Sequence, residues 1–302
     1  MNNILIAISG PTASGKTKLS IELAKKLNCE IISCDSRQFY KELIIGTAVP
    51  SKNQLLEVKH HLIHHISVND LYTVKNFEED ALKILNNQFK KNKYAIVTGG
   101  SGFFLDSIIY GLNEMPSEDH KIRDSLNHGY NENGIKFLQN RLKEVDPKYY
   151  KKVDLNNHRR IIRALEVSII SGKPYSSFIS NKRRRRKKNN FNLIHIGIDY
   201  ERKKLYEKIN LRVDQMITSG LIDEVRRLKE FKSLNPLNTV GYKEIINYLD
   251  DKSTLESAIQ EIKKNTRRYA KRQLTWLRSK KNINWVKKEI TAEELINQFN
   301  LK

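Results

Sequence analysis

An eight-residue stretch near the start of the chain has the residue types and spacing that bind a phosphate group. It reads Gly10-Pro11-Thr12-Ala13-Ser14-Gly15-Lys16-Thr17 and fits the P-loop pattern G-x-x-x-x-G-K-[ST]. The glycines permit a tight turn, so backbone N–H groups and the N-terminus of a helix face an anion. Lys16 adds a positive charge, and Thr17 offers a hydroxyl group to Mg²⁺. The stretch predicts a site for a di- or triphosphate and leaves open whether that phosphate belongs to ATP.

A second candidate group begins at Asp35, directly after a short apolar run. Three roles are open to its carboxylate: holding Mg²⁺ through water, acting as a general base on a substrate, or capping the following turn. Ser36, Arg37 and Gln38 are polar enough to recognise a nucleobase or to hold a phosphate. The run before Asp35 matches only part of a Walker B strand, which argues against an ordinary ATPase.

The elements around these groups predict an α/β fold. Four short apolar runs are typical of buried strands: Ile4–Ser9, Glu30–Asp35, Tyr94–Thr98 and Leu193–Asp199. Helical patterns over 16–27 and 74–89 separate the first three runs. This alternation predicts a P-loop NTPase-like, doubly wound parallel sheet that binds ligands at the carboxyl ends of its strands. Asp35, Gly99, Gly100 and Asp199 all fall at such ends.

The middle of the chain breaks the alternation. Helical patterns cover 121–127, 134–145 and 158–171, and no buried strand is expected between about 115 and 190. We therefore predict a helical insertion domain at 115–191 within a core domain formed by 1–114 and 192–302. The basic run at 183–188 is expected to be a solvated loop within reach of a phosphate backbone. Helical patterns resume after the last core strand.

Composition limits the class of protein. The chain has 302 residues with 39% hydrophobic content, which is enough for a core. No apolar run approaches the length of a membrane-spanning helix, and the N-terminal residues do not resemble a signal peptide. Cys29 and Cys34 fit neither a zinc spacing nor a disulfide framework. A reducing cytoplasm is the expected compartment.

The charge of the chain points to a polyanionic partner. Its 55 Lys and Arg residues against 34 Asp and Glu give a net charge of +21. A biased genome could produce many lysines, and a basic helix face can be merely solvated, but clustered arginines favour a nucleic acid. Three clusters stand out: Arg159-Arg160 with Arg163, the run at 183–188, and Arg267-Arg268 with Arg272 and Arg278.

Four histidines lie close together in the run 60–65. Their spacing could chelate a metal if the run were helical. No carboxylate or cysteine accompanies them in the sequence, so packing within a loop is the favoured interpretation.

Further motifs, taken with the P-loop in their order along the chain, resemble those of one family. They are Asp35-Ser36-x-Gln38-x-Tyr40, Ile45-Gly46-Thr47-Ala48 with Pro50, Gly99-Gly100-Ser101-Gly102, Arg160-x-x-Arg163-Ala164-Leu165-Glu166-Val167, Ser171-Gly172-Lys173, Arg212-Val213-x-x-Met216, Gly220-Leu221-x-x-Glu224-Val225, Val240-Gly241-Tyr242 and Lys271-Arg272-Gln273-x-Thr275-Trp276-Leu277-Arg278. The set resembles the bacterial tRNA dimethylallyltransferases, the IPP transferase family. The blocks span nearly the whole chain, and their combination is far more specific than the P-loop alone.

The resemblance implies a reaction in which the P-loop holds an isoprenoid diphosphate instead of ATP. A dimethylallyl group would pass from dimethylallyl diphosphate to N6 of adenosine 37, beside the anticodon of a tRNA. The backbone of 13–17, Lys16, Arg212 and Mg²⁺ on Thr17 would stabilise the departing diphosphate, with Thr12 near its bridging oxygen. Asp35 would accept the N6 proton.

The resemblance also implies a tRNA-binding surface, because a stacked adenine must be extruded before it can react. Asp35, Ser36, Arg37 and Gln38 would contact the flipped base. The other residues expected at the tRNA are Ser101, Arg123, Arg159, Arg160, Ile161, Ile162 and Arg163. The expected partners are the anticodon stem-loop and dimethylallyl diphosphate, with the enzyme acting as a monomer and without a membrane. Two other readings remain: an ATP-dependent P-loop kinase of a small metabolite, and an RNA-binding protein without catalysis.

Overall fold

A sheet in which every strand pairs in parallel organises the chain, in a computed structural model that describes residues 3–179 and 190–301. Its strands are β1 (Ile4–Ser9), β2 (Ile31–Ser33), β3 (His60–His61), β4 (Tyr94–Gly99), β5 (Asn192–Asp199) and β6 (Asn284–Lys287). Their order across the sheet is β3-β2-β4-β1-β5-β6. The predicted α/β fold with a parallel sheet is confirmed. The basic run at 183–188 lies outside the described residues.

Helices connect the strands. They are α1 (Lys16–Leu27), α2 (Lys52–Glu57), α3 (Val74–Phe89), α4 (Gly102–Tyr110), α5 (His120–Asn133), α6 (Ile135–Val145), α7 (Pro147–Tyr150), α8 (His158–Ser171), α9 (Arg202–Thr218), α10 (Leu221–Arg227), α11 (Tyr242–Leu249), α12 (Leu255–Arg278) and α13 (Ala292–Gln298). Short 3-10 helices lie at Tyr175–Ser177, Lys229–Phe231 and Asn235–Leu237. Among the helices described, none combines the length and apolar character needed to cross a membrane.

The chain divides into two compact units. Unit 1 comprises Met1–Ile109 and Asn189–Lys302 and contains the sheet, whereas unit 2 is Tyr110–Lys188 and is helical where it is described. β1 lies in the middle of the sheet, and its residues Leu5 to Ile8 are completely buried. Such a continuous apolar run is what a strand covered on both faces requires.

The second strand is shorter than the sequence suggested. The pattern predicted Glu30–Asp35, but β2 spans Ile31–Ser33. The Cys34 N–H still bonds to the Thr98 carbonyl of β4 at 2.8 Å, and the chain then turns. Asp35 therefore lies in the turn after the strand, at the carboxyl edge of the sheet.

Unit 2 is built around a buried carboxylate. Glu166 on α8 is fully buried and accepts hydrogen bonds from Arg123 at 2.8 Å, Arg163 at 2.7 Å and the Asp119 N–H at 3.0 Å. Burial alone would raise the pKa of Glu166, but these three donors outweigh it and hold the pKa below its ordinary value. The stabilisation is therefore present at neutral pH and is lost in acid, as pH falls through the lowered pKa.

Replacing this carboxylate should destabilise unit 2 strongly. We expect Glu166→Gln to cost about 3 kcal/mol of unfolding free energy at pH 7, because two guanidinium groups would lose a buried partner. Urea denaturation monitored by circular dichroism measures the change. The matched control is Glu118→Gln, which removes a more exposed partner of Arg123 and should cost under about 1 kcal/mol. Equal losses for the two variants would contradict the assignment.

Candidate active site at the carboxyl edge of the sheet

The P-loop joins the central strand β1 to helix α1. Gly15 is the residue before the helix and has φ 92°, a left-handed conformation that favours glycine. It provides no side chain to cap the helix, so the first N–H groups of α1 are left to an external acceptor. The Ser14 hydroxyl is buried beside this turn and has no hydrogen-bond partner among the described residues. These features suit an anion at the loop.

Lys16 bends back over the P-loop. Its Nζ donates to the Pro11 carbonyl at 2.8 Å. Burial lowers the pKa of Lys16 to about 8; the Asp35 charge opposes this shift, and the Arg212 charge adds to it. A bound anion would replace the carbonyl as the partner of this ammonium group.

Arg212 on α9 is the second cation beside the P-loop. It donates to the Thr12 hydroxyl at 3.4 Å and to the Ala48 carbonyl at 3.5 Å. Burial lowers the pKa of Arg212 from its ordinary value, and the Asp35 charge opposes the change. A guanidinium stays protonated under such conditions, so Lys16 and Arg212 bring two positive charges to the P-loop, an arrangement that suits a phosphate.

Asp35 lies in the turn that follows β2. Its Oδ1 accepts the Arg37 N–H at 3.2 Å, which is the turn-capping bond that the sequence allowed for. The neighbouring turn after β4 is very close: a Cβ atom on Gly99 would lie 2.8 Å from the Asp35 backbone nitrogen. Because the Asp35 charge acts on both Lys16 and Arg212, the carboxylate belongs to the same site as the P-loop.

The polar residues after Asp35 are tied into the protein. The Ser36 N–H donates to the Ser101 hydroxyl at 3.1 Å, and the Ser101 hydroxyl donates to that of Ser36 at 3.1 Å. The Gln38 side-chain amide donates to the carbonyls of Thr47 at 3.3 Å and Ala48 at 3.2 Å. Gln38 therefore supports a loop through its amide, which the sequence did not suggest.

Gln273 on α12 joins the two turns of the site. Its Oε1 accepts the Thr12 N–H at 2.8 Å, and its Nε2 donates to the Gly100 carbonyl at 2.9 Å. A Cβ atom on Gly100 would lie 2.4 Å from that nitrogen, so this approach requires glycine. No local pattern in the sequence indicated this role for Gln273. The available signal was a polar residue on the buried face of an amphipathic helix.

A small opening adjoins the P-loop and the turn after β4. It is lined by Ser9, Gly10, Gly99, Gly100, Ser101, Gly102, Leu105, Gln273, Trp276 and Leu277. Its apolar wall comes from the last part of α12 and from α4. A Cβ atom on Gly102 would lie 2.6 Å from the Trp276 ring, so the wall is closely packed at this point. Such a wall can exclude water beside the phosphate site.

The candidate tRNA-binding arginines of α5 and α8 fall into two groups. Arg159 and Arg160 are exposed at the start of α8. Arg123 and Arg163 are engaged with the buried Glu166, so their first role is within unit 2.

The side chains of Ile161 and Ile162 lie in the core of unit 2. Their side chains are 0% and 4% exposed and pack in the core of unit 2 with Leu126 and Leu138. Apolar side chains at helical spacing are more often core than contact surface, so these two side chains support α8 from within, and a tRNA contact at 161–162 stays a prediction.

The histidine run is not helical. His60 and His61 form the short strand β3, and His61 Nε2 lies 2.6 Å from a Glu30 carboxylate oxygen. Within 3–179 and 190–301, no cluster of three or more His, Cys, Asp or Glu side chains could hold a metal ion. His60 and His61 thus pair at the edge of the sheet, whereas the N–H groups of His64 and His65 donate to the carbonyls of Gln38 and Phe39, each at 2.9 Å.

Known proteins resemble the chain over nearly its whole length. A family model described as IPP transferase matches residues 38–280. A tRNA dimethylallyltransferase of Christiangramia forsetii is 50% identical over 302 residues, covering 100% of this chain and 99% of the relative. A relative of that name from Acetivibrio thermocellus is 44% identical over 98% of this chain and 95% of its own length.

Solved structures agree with the sequence relatives. A tRNA isopentenylpyrophosphate transferase of Bacillus halodurans aligns with a TM-score of 0.71 and 37% identity, covering 99% of this chain and 94% of its own. A eukaryotic dimethylallyltransferase acting on tRNA aligns with a TM-score of 0.81 and 25% identity, covering 99% of this chain and 80% of its own.

Proposed function

Since the chain belongs to the IPP transferase family, we propose that it transfers a dimethylallyl group from dimethylallyl diphosphate to N6 of adenosine 37 in tRNA. Diphosphate is the second product. The observation that carries this proposal is the meeting of a P-loop, a second, partly buried cation and one carboxylate at the carboxyl edge of the sheet. A site of this kind can bind a diphosphate and deprotonate a nucleophile in one place.

The leaving group is stabilised by the P-loop in this proposal. The first N–H groups of α1 surround the diphosphate, and Lys16 and Arg212 neutralise charge that grows as the carbon–oxygen bond breaks. The Thr12 hydroxyl, which accepts from Arg212, would lie near the bridging oxygen. The apolar wall beside Trp276 keeps water from the allylic carbon.

The chemistry of the donors is compatible with Mg²⁺ bound together with the diphosphate. Mg²⁺ keeps several waters and is often bound by substrate phosphates and a few protein oxygens. Thr17, in the first turn of α1, would supply such an oxygen. Bound there, Mg²⁺ would supply additional positive charge at the diphosphate.

Asp35 acts as the base in the proposed reaction. Its Oδ1 is fixed by the Arg37 N–H, so the carboxylate has a defined orientation before substrate binds. It accepts the proton of the exocyclic amine as the nitrogen attacks the carbon.

The adenine must leave the anticodon loop to reach Asp35. In this proposal Ser36, Arg37, Gln38 and Ser101 contact the extruded base or its neighbours. Exposed basic residues of α8 and α12 bind the phosphate backbone of the anticodon stem-loop: Arg159, Arg160, Arg268, Lys271 and Arg272. The enzyme acts as a monomer in the cytoplasm.

Binding of the diphosphate should depend on the protonation of Lys16. Because the pKa of Lys16 is about 8 in the free site and rises when an anion binds, affinity should be nearly constant below pH 8. Between pH 8 and 9.5 we expect it to fall by roughly tenfold, as measured by calorimetric titration with pyrophosphate and Mg²⁺. Lys16→Arg keeps its charge throughout and should lack this decline. The same slope in both proteins would exclude Lys16 as its origin.

The proposed activity is tested by incubating the purified chain with Mg²⁺, dimethylallyl diphosphate and an unmodified tRNA that carries adenosine 37. Mass spectrometry of the digested tRNA should detect N6-dimethylallyladenosine, and a tRNA with guanosine at that position should remain unchanged. ATP-dependent phosphorylation of a small metabolite, without modified tRNA, would instead support the kinase alternative.

A further inference from the structure

One buried carboxylate holds a loop that lies behind the proposed active site. Glu224 on α10 is 3% exposed, and it accepts three consecutive backbone N–H groups of 44–46 at 3.2, 2.8 and 3.2 Å. Tyr242, at the start of α11, donates its hydroxyl to the same carboxylate at 2.6 Å. The Glu224 carboxylate thus accepts four hydrogen bonds at once. Both oxygens of a carboxylate are acceptors, whereas the nitrogen of an amide side chain is a donor.

Tyr242 closes the other side of this loop. It is completely buried, and a Cβ atom on Gly46 would lie 2.4 Å from its ring. Burial raises the pKa of Tyr242, and the Glu224 charge raises it further, so the hydroxyl remains a donor at working pH. The loop can approach the ring only because residue 46 is glycine.

The carbonyl groups of the same loop contact Arg212 and Gln38 of the proposed active site. The Ala48 carbonyl accepts from Arg212 at 3.5 Å and from Gln38 at 3.2 Å, and the Thr47 carbonyl accepts from Gln38 at 3.3 Å. Arg212 in turn donates to Thr12 of the P-loop at 3.4 Å. Hydrogen bonds, joined by the backbone of 44–48, therefore connect Glu224 with Arg212 and the P-loop.

We propose that Glu224 is a positioning residue of the reaction: through the loop 44–48 it orients Arg212 toward the diphosphate and fixes Gln38 beside the turn of Asp35. Glu224 itself touches no substrate. The inference rests on the proposed function for the identity of the diphosphate, but the chain of contacts can be tested with inorganic pyrophosphate alone.

Glu224→Gln is the first variant. It places an NH₂ group among four donors, so the loop should shift and Arg212 should lose its support. We expect the Kd for pyrophosphate with Mg²⁺ to rise roughly ten- to fiftyfold and kcat/KM for transfer to fall by a similar factor. Tyr242→Phe removes one of the four donors and should change both values by about threefold.

A matched control separates positioning from general destabilisation. Asp146 in unit 2 is 1% exposed and accepts two backbone N–H groups, at 2.9 and 2.6 Å. Asp146→Asn should lower the melting temperature as Glu224→Gln does, yet leave the pyrophosphate Kd unchanged. A pyrophosphate Kd raised equally by Asp146→Asn would contradict the proposal.

A double-mutant cycle provides the decisive readout. If Glu224 acts through Arg212, then Glu224→Gln should change the pyrophosphate Kd less than twofold in an Arg212→Ala background. The same fold-change in both backgrounds, or a Kd near that of the wild type for Glu224→Gln, would overturn the inference. If Glu224→Gln fails to fold, Tyr242→Phe replaces it: its effect on the pyrophosphate Kd is measured with and without Arg212→Ala. A wild-type protein that binds pyrophosphate but does not modify tRNA would contradict the proposed function only.

Discussion

Asp35→Asn should lower kcat for transfer by about 10²–10⁴ while leaving the Kd values for tRNA and pyrophosphate within a fewfold of wild type. The amide keeps an oxygen that can accept the Arg37 N–H, so the turn after β2 should be preserved. What is lost is the ability to accept a proton from N6. Single-turnover kinetics with saturating donor measure the chemical step directly.

Two comparisons sharpen this expectation. Asp35→Ala also removes the turn-capping oxygen, so it should add a loss of stability to the loss of catalysis. Glu30→Gln is the control: it changes a carboxylate just before the same strand, one that bonds to His61, and should leave kcat unchanged. If Asp35→Asn lost tRNA binding but kept its chemical rate, Asp35 would be a recognition residue and not the base.

Arg212→Ala should lower kcat/KM for the donor by about 10²–10³. Arg212 is the partly buried cation that contacts the Thr12 hydroxyl, so its removal leaves the growing charge on the leaving diphosphate with one partner fewer. Arg212→Lys should recover only part of the loss, because a lysine cannot contact Thr12 and Ala48 with two donors in a fixed geometry. Steady-state kinetics with varied donor and saturating tRNA test both variants.

A cation elsewhere on the same helix provides the control for Arg212. Arg202 is exposed at the start of α9 and donates to the Tyr206 hydroxyl. Arg202→Ala should therefore leave kcat/KM for the donor within about twofold. A loss comparable to that of Arg212→Ala would mean that overall charge, and not the contact with the P-loop, governs donor binding.

Much of the fold was predictable, because its strands follow the rule for buried parallel strands. β1 and α1 have the predicted bounds, since an unbroken apolar run and leucines at helical spacing leave few alternatives. α4 was not predicted: five of its nine residues are buried, so it lacks the polar face from which a helical period is recognised. β2 was predicted too long, because its end depends on pairing with β4, which a single sequence does not reveal.

The site was less predictable than the fold. The P-loop and Asp35 follow from local patterns, but the roles of Gln273 and Glu224 depend on partners far away in the chain. Gln273 bonds to Thr12, and Glu224 bonds to a loop some 180 residues earlier. Arginines near the start of a helix suggested an RNA contact for Arg163. In the structure its guanidinium pairs with Glu166, a partner that the cluster of arginines did not indicate, and the RNA contact stays a prediction.

The proposed transfer is tested most directly by tracing the dimethylallyl group and the diphosphate of one donor molecule separately. Dimethylallyl diphosphate labelled with ¹⁴C in the dimethylallyl group and with ³²P in the terminal phosphate is incubated with the chain, Mg²⁺ and unmodified tRNA. We expect ¹⁴C to appear on N6 of adenosine 37 and ³²P to be recovered as free pyrophosphate, with one pyrophosphate released for each modified adenosine. Carbon that remains in a free alcohol, or phosphorus that is transferred to an acceptor, would contradict it.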